Sequence, residues 1–172
     1  FNKKNEEKIA VYDFGGGTFD VTILEVGDDV VEVQATDGDA HMGGRDIDQD
    51  IVRHLIQEFK KVEGVDLGKD KLALQRLDEA AEKAKLELSS TTDTDINIPF
   101  ISQGSDGPLH LDIKLTRAKL EEIASDFVQK SIEITKRALE AAGVQKEDVN
   151  EIILVGGQTR MPAIQAAVKE LF

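Results

Sequence analysis

Apolar positions follow two rhythms along the chain. Ile9-Ala10-Val11-Tyr12 is a compact apolar run stopped by Asp13, the pattern of a strand buried on both faces. From Phe19 to Val26 apolar and polar residues alternate, Gly27-Asp28-Asp29 makes a turn, and Val30 to Thr36 reads as a third strand. Two tight connections in succession predict an antiparallel meander, with Gly15-Gly16-Gly17 as its first turn. The rhythm then changes. Ile47, Ile51, Val52, Leu55, Ile56 and Phe59 fall on one helical face, with Asp46 expected as N-cap and Gly64 as the stop. A second helix is predicted from Lys69 to about Leu88, followed by strands over 94–100 and 109–115 around a loop with Gly104, Gly107 and Pro108. Thr116 caps a helical stretch, in one piece or two, that ends at Ala142 before Gly143. Ile152 to Val155 reads as a buried strand ending at Gly156-Gly157, and Pro162 opens a last helix.

These elements predict an α/β protein with a mixed sheet, flanking helices and one core interrupted by a helix-and-hairpin insertion. If the strands ending at Asp13 and Val155 are parallel neighbours, both glycine turns face one crevice at their carboxyl ends. Composition narrows the partners. With 172 residues, 32% of them charged, and a formal net charge of −13, the surface is a poor match for nucleic acid. An anionic nucleotide can still bind where N–H groups, cations or a metal offset that field. The lack of cysteine fits a reducing compartment, so a cytoplasmic location is expected. The opening Phe1 to Lys8 lacks the apolar core of a leader, and no apolar run is long enough to cross a bilayer, so no membrane partner is expected. The abrupt start at Phe1 and stop at Leu171-Phe172 suggest a segment of something longer.

Candidate chemistry centres on Asp13-Phe14-Gly15-Gly16-Gly17-Thr18-Phe19-Asp20. Three residues without Cβ let backbone N–H groups approach a phosphate, Thr18 adds a hydroxyl, and Asp13 and Asp20 can hold a hydrated Mg²⁺ or another cation. The alternative is a hairpin turn with one glycine too many. Gly156-Gly157-Gln158-Thr159-Arg160 offers a second close approach and a guanidinium able to lie on an adenine face, against the alternative of an ordinary turn. Glu82, Lys85 and Ser89 share one narrow helical face, as either a nucleoside-reading row or a surface ion pair. Other patterns fail. Gly38 to Arg45 lacks the Lys-Ser/Thr of a P-loop. Asp46, Asp48 and Asp50 are followed by Ile51 where a calcium loop needs glycine, and His41, His54 and His110 are too scattered for zinc.

Four ordered motifs, Asp13 to Asp20, Gly38 to Gly44, Glu82 to Ser90 and Val155 to Pro162, together resemble the DnaK-type heat-shock chaperone family, and the likeness covers essentially the whole chain. The stretch from Asp95 to Leu120 resembles bacterial and organellar members. The resemblance implies the second lobe of a nucleotide-binding domain on the actin-like, ribonuclease-H-like ATPase fold. Residues 1–42 and 125–172 would form its base, and 43–124 an inserted smaller α+β subdomain. It implies that Gly15, Gly16, Gly17 and Thr18 bind the β- and γ-phosphates of ATP or ADP. Asp13 would lie on the side of Mg²⁺ and the attacking water, and Asp20 near a K⁺-like cation. Glu82, Lys85 and Ser89 would face adenosine, with Gly156, Gly157 and Arg160 closing over adenine and ribose. Catalysis would rest on Asp13 and Thr18.

Two positions depart from the family pattern: Arg45 replaces a common acidic residue, and Leu86 replaces the arginine that eukaryotic cytosolic members set against adenine. The other lobe, the last strand and helix of this one, and the peptide-binding domain are expected to lie outside the sequence, so turnover by this chain alone is expected to be negligible. Implied partners are the complementary lobe, a nucleotide-exchange factor of the GrpE kind on the smaller subdomain and a J-domain cochaperone, in the cytoplasm or an organellar matrix. Two other readings are a docking module without catalysis and an actin-like polymerising ATPase.

Overall fold

The computed structural model describes residues 6–172. Residues 1–5, which open the segment expected to lack a leader and the stretch 1–42, lie outside that range. The chain divides into two compact units, one of residues up to Arg45 with Asp126–Phe172, the other Asp46–Ser125.

In the first unit, strands β1 (Glu7–Phe14), β2 (Phe19–Val26) and β3 (Val31–Asp39) form the expected antiparallel meander. Strand β6 (Glu151–Val155) pairs parallel with β1, so the sheet order is β3-β2-β1-β6. Alternation decides which face is buried: Ala10, Tyr12 and Phe14 on β1 and Phe19, Val21 and Ile23 on β2 are all at most 1% exposed. Tyr12, Phe14 and Phe19 stack as tilted or edge-on rings, the closest pair with centroids 4.8 Å apart. The opposite face holds the half-buried Val11, Asp13 and Thr22 and the exposed Asp20. β1 is therefore buried on one face rather than both. β6 also departs from the buried strand expected, since it lies at the sheet edge and Ile153, Leu154 and Val155 are each more than a third exposed.

Helix α3 (Arg117–Ala142) is unbroken, and its Ser131, Ile134, Thr135 and Ala138 are buried. Tyr12 Oη lies 2.5 Å from Ser131 Oγ, which seats α3 on the buried face of β1. Thr116 Oγ1 accepts the Lys119 N–H at the start of α3, and Gly143 takes the left-handed conformation after its end, φ +67°. Helix α4 (Pro162–Leu171) has Pro162 in its first turn and buries Ile164, Val168 and Leu171.

The second unit contains most of α1 (Gly44–Glu63), α2 (Lys71–Glu87) and the hairpin of β4 (Asp93–Gly104) and β5 (Gly107–Thr116). Ile47, Ile51, Val52, Leu55 and Phe59 of α1 are buried as their spacing predicts, and Gly64 ends the helix at φ +71°. Asp46 is not the N-cap. The helix begins two residues earlier, leaving Asp46 in the first turn, where its charge complements the positive end of the helix. Asp70 caps α2, its carboxylate accepting the Leu72 and Ala73 N–H groups. The hairpin register shifts between Ile98 and Ser102, where Phe100 adopts φ +54° and donates its N–H to His110 Nδ1 at 2.7 Å.

Candidate nucleotide site at the carboxyl ends of β1 and β6

Parallel pairing of β1 with β6 sends both glycine turns to one end of the sheet. The triplet turn is closed by the Gly15 N–H donating to Thr18 O at 3.0 Å. Two-residue hairpin turns usually need glycine for positive φ, yet neither Gly16 nor Gly17 adopts it. A Cβ on Gly16, Gly17 or Gly157 would meet nothing within 4 Å, and on Gly15 only Thr18 O at 3.8 Å. Neither backbone conformation nor internal packing requires glycine at these four positions.

The glycines behind them behave in the opposite way. A Cβ on Gly38 would come within 2.4 Å of Phe19 O, one on Gly43 within 2.4 Å of Gly16 O, and one on Gly156 within 2.3 Å of Phe14 O and 2.9 Å of Asp13 Oδ1. On Gly44 it would strike the Gln158 side-chain amide at 2.1 Å. Gly156 also sits at φ +95°. Close backbone packing thus joins the first turn to both the loop before α1 and the turn after β6.

Asp13 and Asp20 are cross-strand partners on the face opposite Phe14 and Phe19. Direct cross-strand partners hold their Cβ atoms about 5 Å apart. Two hard carboxylates at that spacing suit a hydrated Mg²⁺ or a monovalent cation. Thr18, exposed at the end of the turn, donates its hydroxyl to Asp20 Oδ2 at 3.2 Å. Beyond β6, Gly157–Arg160 forms a short 3₁₀ turn, with Thr159 Oγ1 donating to Gly156 O at 2.6 Å and Gln165 Nε2 to Thr159 O at 3.0 Å. An open cleft of ≈ 640 Å³ is lined there by Leu154, Val155, Gly156, Gly157, Thr159 and the exposed Arg160.

The polar row belongs to the second unit, and its three members differ in setting. Glu82 is exposed on α2. Ser89 is half-buried and lies past the helix end, in the turn where its N–H donates to Leu86 O. Lys85 is buried, its Nζ 2.6 Å from Asp48 Oδ1 on α1. The surface ion pair weighed for this row is thus a buried pair with another helix. Burial pushes the Asp48 carboxyl up, against the pull of Lys85 and with Glu82 and Asp78 adding to the rise. Leu77, Ala84 and Leu88 pack on the other side as their spacing predicts.

Sequence patterns did not reveal what supports the first turn. Arg137 on α3 forms a two-pronged pair with Asp37 at 3.1 Å, holding that carboxyl below its ordinary value, and Lys130 meets Asp39 at 2.6 Å with the same effect. These pairs fasten the end of β3 before the Gly43-Gly44 turn. Their partners are about a hundred residues apart, beyond any local pattern. Among the described residues no helix is long and apolar enough to cross a membrane, and no group of three or more His, Cys, Asp or Glu side chains is arranged to hold a metal.

Comparison with known proteins identifies the family. The family model described as Hsp70 protein matches residues 1–172. The chain is 57% identical over 170 residues to the chaperone protein dnaK of Cyanidioschyzon merolae, an alignment covering 99% of this chain and 28% of that protein. The chain therefore spans well under a third of the length of this relative. The match across the full length of the sequence and the mixed sheet with its flanking helices lead to one assignment: the chain belongs to the Hsp70 family, with the actin-like ATPase fold of that family's nucleotide-binding domain.

Proposed function

We propose that the chain supplies one lobe of the nucleotide site of an ATP-driven chaperone, with 1–42 and 125–172 as its base and 43–124 as an inserted subdomain. The observation that carries the reading is the set of four glycines, Gly15, Gly16, Gly17 and Gly157, for which the fold itself supplies no need. A ligand approaching the backbone from outside supplies one. Gly15, Gly16, Gly17 and Thr18 take the β- and γ-phosphates, and Gly156, Gly157 and Arg160 border adenine and ribose. Glu82, Lys85 and Ser89 contribute to the nucleoside.

Asp13 and Asp20 fit a hydrated Mg²⁺ and a K⁺-like ion, whose chemistry is to offset charge on the phosphates. Asp13 orients the attacking water for in-line displacement at the γ-phosphate, and the Thr18 hydroxyl positions that water. The Gly16 and Gly17 N–H groups stabilise charge developing on the phosphoryl oxygens. The complementary lobe closes the clamp, while a GrpE-like exchange factor on the smaller subdomain and a J-domain cochaperone on the larger unit regulate it. The location is cytoplasmic or an organellar matrix.

Titrating this chain with fluorescent ADP, with and without the complementary lobe, tests the reading. Affinity should rise steeply when the lobe is added, and steady-state phosphate release should require it. Equal affinity in both conditions, or full turnover by the chain alone, would refute the half-site.

A further inference from the structure

The turn that would touch phosphate is itself held from behind. The Gly44 N–H donates to Gly15 O at 2.8 Å, and the Arg45 N–H donates to Gly16 O at 2.9 Å. These donors belong to the first turn of α1, where backbone N–H groups have no partner inside the helix. A helix start of this kind commonly attracts an external anion. Here two of its donors are instead committed to carbonyls of the glycine turn.

That commitment fixes direction as well as distance. No cis peptide occurs among the described residues, and in a planar trans peptide the C=O and the N–H of the next residue point opposite ways. With Gly15 C=O turned toward Gly44, the Gly16 N–H faces away from α1. With Gly16 C=O turned toward Arg45, the Gly17 N–H does the same. Among the described residues no acceptor engages either N–H. Glycine needs such constraint more than any other residue, because nothing in its own side chain restricts φ and ψ.

We infer that the first turn of α1 is the positioning element of the phosphate turn: Gly44 and Arg45 aim the Gly16 and Gly17 N–H groups outward, and Gly43 allows the approach that makes this possible. The inference rests on the reading of the triplet as a phosphate cradle. Gly43 is the sensitive position, because an added Cβ would lie 2.4 Å from Gly16 O, 2.5 Å from Gly16 C and 2.6 Å from Gly17 N. Those atoms are all backbone, so relief must come from moving the turn itself. The preceding loop resists retreat: Asp39 accepts the His41 N–H at 2.8 Å while its other oxygen holds Lys130, and Met42 is buried.

The test compares Gly43→Ala with the wild-type chain and with Gly27→Ala, a hairpin glycine whose added Cβ makes only an ordinary 3.9 Å contact with Val30 O. Isotope-labelled protein is titrated with Mg²⁺–ADP and separately with adenosine while the amide resonances are followed. In the wild type and Gly27→Ala, ADP should move the Gly16 and Gly17 amides and bind more tightly than adenosine. In Gly43→Ala that preference should fall at least tenfold, with adenosine affinity unchanged. A merely destabilised fold would lower both affinities together. Arg45→Pro is the second variant: at a helical position where proline is tolerated, it replaces the donor to Gly16 O with a ring carbon that pushes this carbonyl away and leaves the Gly44 donor to Gly15 O in place. It should weaken the ADP response at Gly17 more than at Gly16, with the amide spectrum showing whether the unit is folded. Wild-type-like ADP preference in folded Gly43→Ala overturns the inference alone. Wild-type Gly16 and Gly17 amides that ignore ADP overturn the phosphate reading and the inference with it.

Discussion

Ser131→Ala will destabilise the first unit more than Tyr12→Phe, although both remove the same hydrogen bond. The reason is which atom is left stranded. Ser131 Oγ donates to Val128 O at 2.6 Å and lies 2.5 Å from Tyr12 Oη. With its single proton committed to the carbonyl, the serine accepts from the phenol. Removing the phenolic oxygen leaves Ser131 satisfied, so Tyr12→Phe should cost about 1 kcal/mol or less, the net worth of one hydrogen bond. Removing the serine oxygen leaves an O–H with no acceptor on a side chain only 1% exposed, and Ser131→Ala should cost about 1–3 kcal/mol. In a Tyr12→Phe background, Ser131→Ala should be close to neutral. Urea unfolding of the four proteins closes the cycle. A second readout is unusually clean because the chain has one tyrosine and no tryptophan. Burial raises the Tyr12 phenol to about 12, so absorbance titration should show late ionisation. The folded state keeps its proton where an unfolded tyrosine loses it, so stability should fall as pH rises from about 10 toward 12. A Tyr12→Phe cost equal to or above that of Ser131→Ala would refute the assignment of donor and acceptor, and a folded midpoint near 10.0 would refute the burial of the phenol.

Three further outcomes follow from the geometry. Asp48→Asn strands the buried Lys85 ammonium and should cost about 3–5 kcal/mol in urea unfolding, most of it recovered by adding Lys85→Met; a cost below about 1 kcal/mol would mean that the pair is solvated. Gly156→Ala places a side chain at φ +95° against Phe14 O and should cost at least about 1–3 kcal/mol from backbone strain, whereas Gly16→Ala and Gly157→Ala should leave the urea midpoint nearly unchanged while weakening ADP binding. Arg137→Ala should lower stability at neutral pH, and its difference from wild type should vanish only below the ordinary carboxyl value of 3.8. The sign follows from Asp37, whose depressed folded value contributes stability above 3.8 that is lost as pH falls through the lower one; a difference that disappears already at pH 6 would assign the effect elsewhere.

Local periodicity was enough to read the meander, the helices and both glycine turns, because each depends on residues within a few positions. The same logic failed at β6. An apolar Ile-Ile-Leu-Val run is compatible with burial on both faces, but sheet order leaves this strand at an edge, and order is a long-range property. Asp46 departs from the expected cap for a related reason. A polar residue before an apolar helical face looks like a cap, but the α1 N–H groups find carbonyls of the glycine turn and the helix starts sooner. The candidate phosphate turn was legible from Gly15-Gly16-Gly17. Which glycines answer to the fold and which do not depends on the space around each Cβ, a property of tertiary packing that no local pattern carries. The pairing of Lys85 with Asp48 was likewise beyond reach, since 37-residue separations carry no helical period.

The ion pairs that fasten α3 to the end of β3 also decide how salt acts on this chain. Lys130 and Arg137 are each held against an aspartate, as Lys85 is in the other unit, so these cations are already neutralised within the fold. With a formal net charge of −13, the chain meets a polyphosphate as a co-ion, and the two repel at long range. Added electrolyte screens that repulsion over a Debye length of about 10 Å at 0.1 M. Capture of a metal-free nucleotide should therefore strengthen as ionic strength rises, a dependence opposite in sign to that of a basic phosphate-binding surface.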